Sequence, residues 1–325
     1  MDPTQKASLG NTSVRVSRLG LGTAPLGGWP QAVCAEQARR TIEAAWHAGI
    51  RHFDTAPFYG HGLSEQHLGA FLPQQDRSEF TISTKVGRLL VPGEVRESLY
   101  QGVPDVVPTF DFSGPGIERS LAESKQRLGL DRIDVALIHD PDDHHDEALR
   151  ESYPVLADLR AAGKIGALGA GMNWSEPLAR FALEADFDCF LLAGRYTLLE
   201  QGALDELMPA VTERGASIIA GGVLNSGVLA DPQKNAYYNY APAPEEIVIR
   251  ATRLQQACGE FDVPLRAAAI QFPLGHPRVA SVVLGARTPA EVRDCMDMMK
   301  FPIPAELWAA LKEREFIRAD APVPA

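Results

Sequence analysis

The sequence predicts an α/β protein built as a single (β/α)8 TIM barrel, with a β-hairpin before the barrel and a helix after it. Eight short apolar segments, rich in β-branched residues, alternate with amphipathic helical segments along the chain. The strand segments are nearly continuous apolar runs, which is typical of parallel strands covered on both faces. No linker or change in composition divides the 325 residues, so we expect one domain over residues 1–325, with a strand–helix core at about 16–299.

The elements follow one another in a regular order. A hairpin is predicted over residues 7–16, with its turn at Gly10-Asn11, and we expect it to close the bottom of the barrel. The eight strands are predicted at residues 18–23, 49–54, 81–85, 133–139, 165–169, 189–193, 217–220 and 279–283. Helices are predicted at residues 37–48, 64–71, 113–128 (opening at Asp111 or Ser113), 147–162, 175–184, 204–214, 245–261, 265–271, 288–299 and 305–317.

Two long loops are predicted, at residues 87–112 and 221–244, after the third and seventh strands. They therefore belong to the face at the carboxyl ends of the strands, where barrels of this kind carry their chemistry.

Composition and charge exclude several classes of function. The net charge of −11 disfavours nucleic-acid binding, and no apolar stretch reaches the ~20 residues that span a bilayer. The four cysteines form no CxxC pair, so neither a zinc site nor a disulfide framework is indicated. With no signal-peptide pattern over Met1–Lys6, these features predict a cytoplasmic protein without a nucleic-acid or membrane partner.

Polar residues stand where several of the predicted strands end. Asp54 ends the second strand and Tyr59 follows it in a short loop, Lys85 ends the third strand, and His139 ends the fourth. Because the carboxyl ends of barrel strands meet at one face, these four side chains can form one proton-transfer device.

The same segments carry a resemblance to a known family. The chain is similar to the aldo-keto reductases from about Val16 to Met299. The motifs that carry this resemblance, in the family's order, are Phe53-Asp54-Thr55-Ala56 with Tyr59-Gly60 and Ser64-Glu65, then Ser83-Thr84-Lys85, Leu137-Ile138-His139 and Gly285-Ala286-Arg287-Thr288-Pro289. Residues 20–28, 193–199 and 271–277 resemble a branch of sugar 1-dehydrogenases, which oxidise aldoses of the L-fucose, D-arabinose or L-galactose type to lactones.

The resemblance implies a role for each of the four residues. Tyr59 is the expected general acid/base, with its pKa lowered by the Lys85 ammonium, which Asp54 holds in its charged form. His139 is expected to orient the substrate oxygen as a neutral imidazole. Each residue also has a purely structural interpretation. Tyr59 could pack on the rim of the barrel, Asp54 and Lys85 could form a structural ion pair, and His139 could be a hydrogen-bonded core histidine. The acidic run at residues 139–146 is interpreted as a solvated loop, and no metal site is predicted.

The resemblance also implies a nicotinamide cofactor. Asn173 matches the residue that binds the carboxamide, while Gly221 stands where the family usually stacks a tyrosine on the nicotinamide ring. The stacking partner must then come from elsewhere in the chain, or the ring has more room. The implied cofactor residues are Gly22, Thr23, Met172, Asn173, Leu224, Asn225, Gly227, Gly285, Ala286, Arg287, Glu291 and Cys295.

Glu291 bears on the choice between NAD and NADP. Its carboxylate can accept hydrogen bonds from a ribose 2′-hydroxyl and repels a 2′-phosphate, so NAD is the expected preference, with NADP tolerated. Arg287 and Arg293 oppose this expectation because either could neutralise a phosphate. Glu291 has a second interpretation, as a first-turn acid favoured by the helix dipole.

Aromatic residues suggest where the substrate binds. Trp29, Phe58 and Trp174 are the expected substrate contacts, together with the loops at residues 87–112 and 235–240. The expected activity is oxidation of an aldose at C1. The alternatives are an NAD(P)H-dependent aldehyde reductase, a pyridoxal dehydrogenase, or a non-catalytic nicotinamide-binding accessory subunit of a membrane protein.

Overall fold

Eight parallel strands close into a barrel in the computed structural model, which describes residues 1–234 and 236–325. Residue 235, the first residue of the predicted loop at 235–240, lies outside that description. The barrel strands are β1 (Leu19–Gly22), β2 (His52–Asp54), β3 (Thr81–Val86), β4 (Ile133–His139), β5 (Ile165–Met172), β6 (Cys189–Ala193), β7 (Ser217–Gly221) and β8 (Val279–Gly285).

Each strand pairs with its neighbours in the sequence, and β8 pairs with β1 to close the ring. Leu21 of β1, for example, lies opposite Phe53 of β2 on one side and opposite Leu284 of β8 on the other. The expected (β/α)8 barrel is thereby confirmed. Because all neighbours run parallel, the ends of β2, β3, β4 and β5 meet at one face.

The N-terminal hairpin, Lys6–Ser8 paired with Arg15–Ser17, packs into the barrel as expected. Leu9, Val14 and Val16 are buried in one apolar cluster with barrel residues such as Leu137 and Ile219. The Gly10 amide also donates to Ser217 Oγ at the start of β7 (2.8 Å). Since Ser217 is the first residue of β7, the hairpin closes the amino-terminal end of the barrel and leaves the other end open.

Helices surround the barrel and bury one face each against the strands. They are α1 (Ala35–His47), α2 (Leu63–Gly69), α3 (Gly114–Leu128), α4 (Tyr153–Ala161), α5 (Ser175–Glu184), α6 (Leu207–Arg214), α7 (Glu245–Gly259), α8 (Leu265–Gln271), α9 (Pro289–Lys300) and α10 (Ala305–Glu313). Ser113 caps α3 by accepting from the Gly116 amide, and Thr288 caps α9 by accepting from the Glu291 amide. Over the described residues, no helix is both long and apolar enough to cross a membrane.

Both long loops contain structure that the sequence analysis missed. Residues 87–112 hold an antiparallel ribbon, Arg88–Pro92 paired with Val106–Phe110. Residues 221–244 hold a small lid hairpin, Tyr237–Tyr238 paired with Ala241–Pro242. The prolines at 92, 108 and 242 argue against strands in a sheet interior, but an isolated two-stranded ribbon has free edges where a missing N–H costs nothing.

Candidate active site

Asp54 and Lys85 form a buried ion pair at the ends of β2 and β3. Lys85 Nζ donates to Asp54 Oδ1 at 2.8 Å and to the Thr55 carbonyl at 2.9 Å. Ser83 Oγ donates to the other carboxylate oxygen at 2.8 Å. The two charged residues are only 2% and 1% exposed. Burying such a pair is expensive, so its presence here marks a candidate functional site.

Tyr59 lies directly over this pair, in the loop after β2. Lys85 Nζ is 4.5 Å from the centre of the Tyr59 ring. The expected lowering of the Tyr59 pKa is wrong for this structure: burial raises the pKa well above 10, and the Asp54 charge raises it further. The physical reason is that the buried phenol has lost the water that would stabilise a phenolate, and the Asp54 carboxylate repels the negative charge of that form.

His139 ends β4 beside the tyrosine, with the two ring centres 5.9 Å apart and nearly perpendicular. Burial lowers the His139 pKa well below 6.5, and the nearby Arg88 and Lys85 charges lower it further. The imidazole is therefore neutral at pH 7, which is the form expected from the sequence. Its Nδ1 is buried with no hydrogen-bond partner in the described part of the chain, and its Nε2 lies 3.5 Å from Asp140 Oδ2.

A cavity of about 530 Å³ opens over Tyr59, Lys85 and His139. Trp29, Phe58 and Trp174 all line it, as expected for substrate contacts. Trp174 is 51% exposed at its mouth and stacks against the Arg195 guanidinium. The loops expected to contact the substrate also contribute to the wall, through Leu99, Tyr100, Phe110 and Tyr240. Asp140, Asp142 and Asp143 line the cavity as well, and the sequence analysis did not select them as contacts.

A second cavity, a groove of about 310 Å³, runs from Tyr59 across the ends of β7, β8 and β1. The expected cofactor residues that line it are Gly22, Asn173, Leu224, Asn225, Gly227, Gly285, Arg287 and Glu291. The two cavities share Tyr59, Asn173 and Tyr240, so molecules bound in them would meet beside the phenol.

The groove fits the cofactor that the sequence analysis expected. Asn225 Oδ1 is buried at its wall without a hydrogen-bond partner among the described residues, so a polar acceptor is left for a bound group. Gly194, Gly222 and Gly227 have positive φ and contribute wall without side chains, which allows close approach to the backbone. A pyrophosphate needs such close approach to backbone amides.

Four expected cofactor residues do not line this groove. Thr23 is fully buried below it, where its hydroxyl donates to the Asp54 carbonyl (2.8 Å). Met172 lies on the wall of the larger cavity instead. Ala286 and Cys295 turn inward from α9 and its preceding loop toward Leu19 and Leu284, and burial raises the Cys295 pKa to about 12. Neighbours in a strand or helix alternate between surface and core, so a motif alone does not decide which of them faces a ligand.

Tyr240 lines both cavities, and it shares the wall of the groove with Gly221 at the end of β7. It sits in the turn of the lid hairpin, where Asn239 and Tyr240 both have left-handed φ values (50° and 63°). The turn is held by the Tyr240 amide, which donates to Ser226 Oγ (3.0 Å), and by an edge-on contact between the Tyr240 and Trp29 rings. The signal for this residue was present in the sequence as an aromatic cluster in a long loop after a strand.

One oxygen of the Glu291 carboxylate forms a hydrogen bond at the amino-terminal end of α9. Its Oε2 accepts from the Arg287 amide (2.7 Å), so the carboxylate helps to cap the helix and also lines the groove. Arg287 lines the groove as well, whereas the exposed Arg293 is not part of its wall. In the described residues, no three His, Cys, Asp or Glu side chains are arranged to hold a metal ion.

Comparison with known proteins agrees with this architecture. The model of the aldo/keto reductase family matches residues 18–315. The chain belongs to that family, whose members are oxidoreductases that use NAD(P)H.

Individual relatives cover nearly the whole chain. A D-threo-aldose 1-dehydrogenase of Pseudomonas sp is 43% identical, over 98% of this chain and 99% of its own. A pyridoxal 4-dehydrogenase of Microbacterium luteolum is 40% identical, over 97% and 98%. The holo form of an aldo-keto reductase from Bacillus halodurans superposes with a TM-score of 0.77 at 25% identity, over 98% of each chain.

Proposed function

We propose that the protein oxidises an aldose at C1 to the lactone, with aldoses of the L-fucose, D-arabinose or L-galactose type as substrates. The observation that carries this proposal is the position of Tyr59, which lies over the buried Asp54–Lys85 pair where the two cavities meet. The 43% identity to a D-threo-aldose 1-dehydrogenase supports the choice of an aldose.

The four residues at the strand ends have distinct tasks in this reaction. The neutral His139 orients the C1 oxygen, and Tyr59 accepts the hydroxyl proton. The Lys85 ammonium, held by Asp54 against the ring face of Tyr59, stabilises the phenolate form of Tyr59, which is the form that can accept a proton. The nicotinamide ring, when bound, supplies the hydride acceptor. Since burial raises the Tyr59 pKa, oxidation is expected to accelerate as the pH rises.

The cofactor of this reaction is proposed to be NAD⁺ in preference to NADP⁺. Glu291 Oε2 accepts from the Arg287 amide, which leaves Oε1 to accept from a ribose hydroxyl at the groove wall. The negative charge beside the same position disfavours a phosphate. Only one of the two opposing arginines, Arg287, lines the groove.

An absorbance screen tests the proposal. The purified protein is incubated with L-fucose, D-arabinose, L-galactose and D-glucose, each with NAD⁺ and with NADP⁺, and formation of the reduced cofactor is followed. The proposal expects turnover of the first three sugars and a lactone in the product mixture. Oxidation at another carbon, or no turnover of any aldose, would overturn it.

Pyridoxal is a second candidate substrate, supported by the 40% identity to a pyridoxal 4-dehydrogenase. Its aldehyde closes with the neighbouring hydroxymethyl group into a cyclic hemiacetal, so its oxidation also gives a lactone. The aromatic cavity walls, including Phe58 and Trp174, could stack against its ring. Adding pyridoxal to the same screen decides between the two, by comparison of kcat/KM.

A further inference from the structure

Asp140 stands at the edge of the larger cavity in an unusual backbone conformation. It directly follows His139 at the end of β4, with a φ of +45°. Its amide donates to the Gly171 carbonyl at the end of β5 (3.0 Å), which fixes this conformation. Non-glycine residues adopt left-handed φ values uncommonly, and such residues cluster at binding and catalytic sites.

Arg88, which does not line the cavity, fixes the Asp140 side chain through an ion pair. Arg88 Nη2 donates to Asp140 Oδ2 at 2.7 Å, and its guanidinium lies between the Phe58 and Phe110 rings, 4.4 and 4.1 Å from their centres. The Arg88 side chain is 13% exposed, whereas that of Asp140 is 32% exposed. The carboxylate, and not the cation, therefore presents its surface to the cavity.

The acidic run is thus only in part the solvated loop that the sequence suggested, since Asp143 and Asp146 are exposed but His139 and His145 are buried. Asp140, Asp142 and Asp143 all line the cavity. The two cations nearest to them are already paired, Lys85 with Asp54 and Arg88 with Asp140. Across the described lining residues the formal charges leave an excess of two carboxylates, so this wall repels anions and offers acceptors for hydroxyl groups.

We propose that Asp140 binds ring hydroxyls of a neutral aldose, and that the acidic wall of the cavity excludes carboxylated and phosphorylated sugars. This inference rests on the proposed aldose oxidation. Asp140 Oδ2 is occupied by Arg88, while Oδ1 has no protein donor among the described residues and is available to sugar hydroxyls. A hydrogen bond from a neutral hydroxyl to a fixed carboxylate is one of the stronger kinds, because the acceptor is charged.

The test is Asp140→Asn in the full chain. Asparagine tolerates a left-handed φ, and its amide oxygen can still accept from Arg88, so the fold and the cavity shape are preserved. The expected result is a KM for L-galactose raised by roughly ten- to a hundredfold, with kcat unchanged within about threefold. Asp146→Asn is the matched control, since Asp146 lies in the short helix His145–Glu147 that follows this loop, is 84% exposed and does not line either cavity.

A charge comparison completes the test. L-galactose and L-galacturonate share a ring and differ by a carboxylate at C6. Wild type should prefer the neutral sugar by at least about tenfold in kcat/KM, and Asp140→Asn should reduce that ratio. Binding of reduced cofactor, followed by its fluorescence, should be the same in wild type, Asp140→Asn and Asp146→Asn.

The outcomes separate the two proposals. If wild type oxidises no aldose, the proposed function fails and the inference fails with it. If wild type oxidises L-galactose but Asp140→Asn keeps the wild-type KM, the inference alone is wrong. A fall in kcat at constant KM also overturns it, since that pattern would mean that Asp140 acts by placing His139, 3.5 Å away, and not by binding the sugar.

Discussion

Removing the Lys85 charge should destabilise the protein strongly and in a pH-dependent way. Lys85→Met shortens the side chain by one atom and leaves the Asp54 carboxylate buried, with Ser83 Oγ as its only donor in the described part of the chain. The Thr55 carbonyl also loses its donor. Breaking a buried pair from one side costs about 3–5 kcal/mol of unfolding free energy, which is a large part of a typical total of ~5–15 kcal/mol.

Denaturant unfolding at pH 7 measures this loss against wild type. As the pH falls, the stranded carboxylate takes up a proton and its charge disappears, so the deficit should shrink in acid. Replacing both members of the pair by apolar residues, as Asp54→Leu with Lys85→Met, should recover most of the lost stability, because no unpaired charge then remains buried.

The double variant also separates structure from chemistry. If the pair serves the reaction, the double variant is folded but slower than wild type by ~10²-fold or more. A stable double variant with activity within about tenfold of wild type would show that Asp54 and Lys85 are only a structural ion pair. A single variant as stable as wild type would refute the reasoning about the buried charge.

Three further predictions follow from the site and its surroundings. Tyr59→Phe should lower kcat by ~10²- to 10⁴-fold while cofactor affinity stays within about twofold, as measured by fluorescence titration, because only the proton carrier is lost. Glu291→Gln should move the NAD⁺ to NADP⁺ ratio of kcat/KM toward NADP⁺, and a tenfold or greater NADP⁺ preference in wild type would contradict the assignment. Burial lowers the pKa of His52 to about 4, so as the pH drops below 6.5 the imidazole takes up a proton in the unfolded chain but not yet in the folded protein. Proton uptake then favours the unfolded state, and stability falls. From pH 7 to 5 this costs about 2 kcal/mol in wild type, a loss that His52→Asn should lack in denaturant unfolding.

The barrel could be predicted because the physical signal for it is repeated along the chain. Each strand is an apolar run, and a polar residue at or next to the end of a strand, such as Asp54, Lys85 or His139, marks that end as clearly as a turn does. Caps such as Thr288 fix the start of a helix through a local hydrogen bond, so they are visible in the sequence. The ribbon at residues 88–110 was missed because its prolines disfavour sheets, and only the fold shows that its edges are free.

The site was predictable in its chemistry and less so in its surroundings. Asp54, Tyr59, Lys85 and His139 converge because they occupy equivalent places on adjacent strands or in the loop that follows. The environment of Asp140 depends on Arg88, which is 52 positions away and reaches it across the ribbon. The raised Tyr59 pKa likewise depends first on burial by the surrounding fold, which is not encoded in a local pattern.

The closure of β8 onto β1 sets the order in which the chain can fold. Arg18 Nη1 donates to the Val279 carbonyl (2.7 Å), and Ser281 Oγ donates to the Ser17 carbonyl (2.8 Å), across 261 and 264 residues of sequence. During synthesis, the edge of β1 that pairs with β8 therefore stays unpaired until β8, the last barrel strand, has left the ribosome. A fragment that ends before Val279 exposes the edges of both β1 and β7, which are templates for pairing with other chains. Only the closed barrel, with β8 paired to β1, leaves no edge of a barrel strand exposed to other chains, so this protection from aggregation is complete only after the last barrel strand has been made.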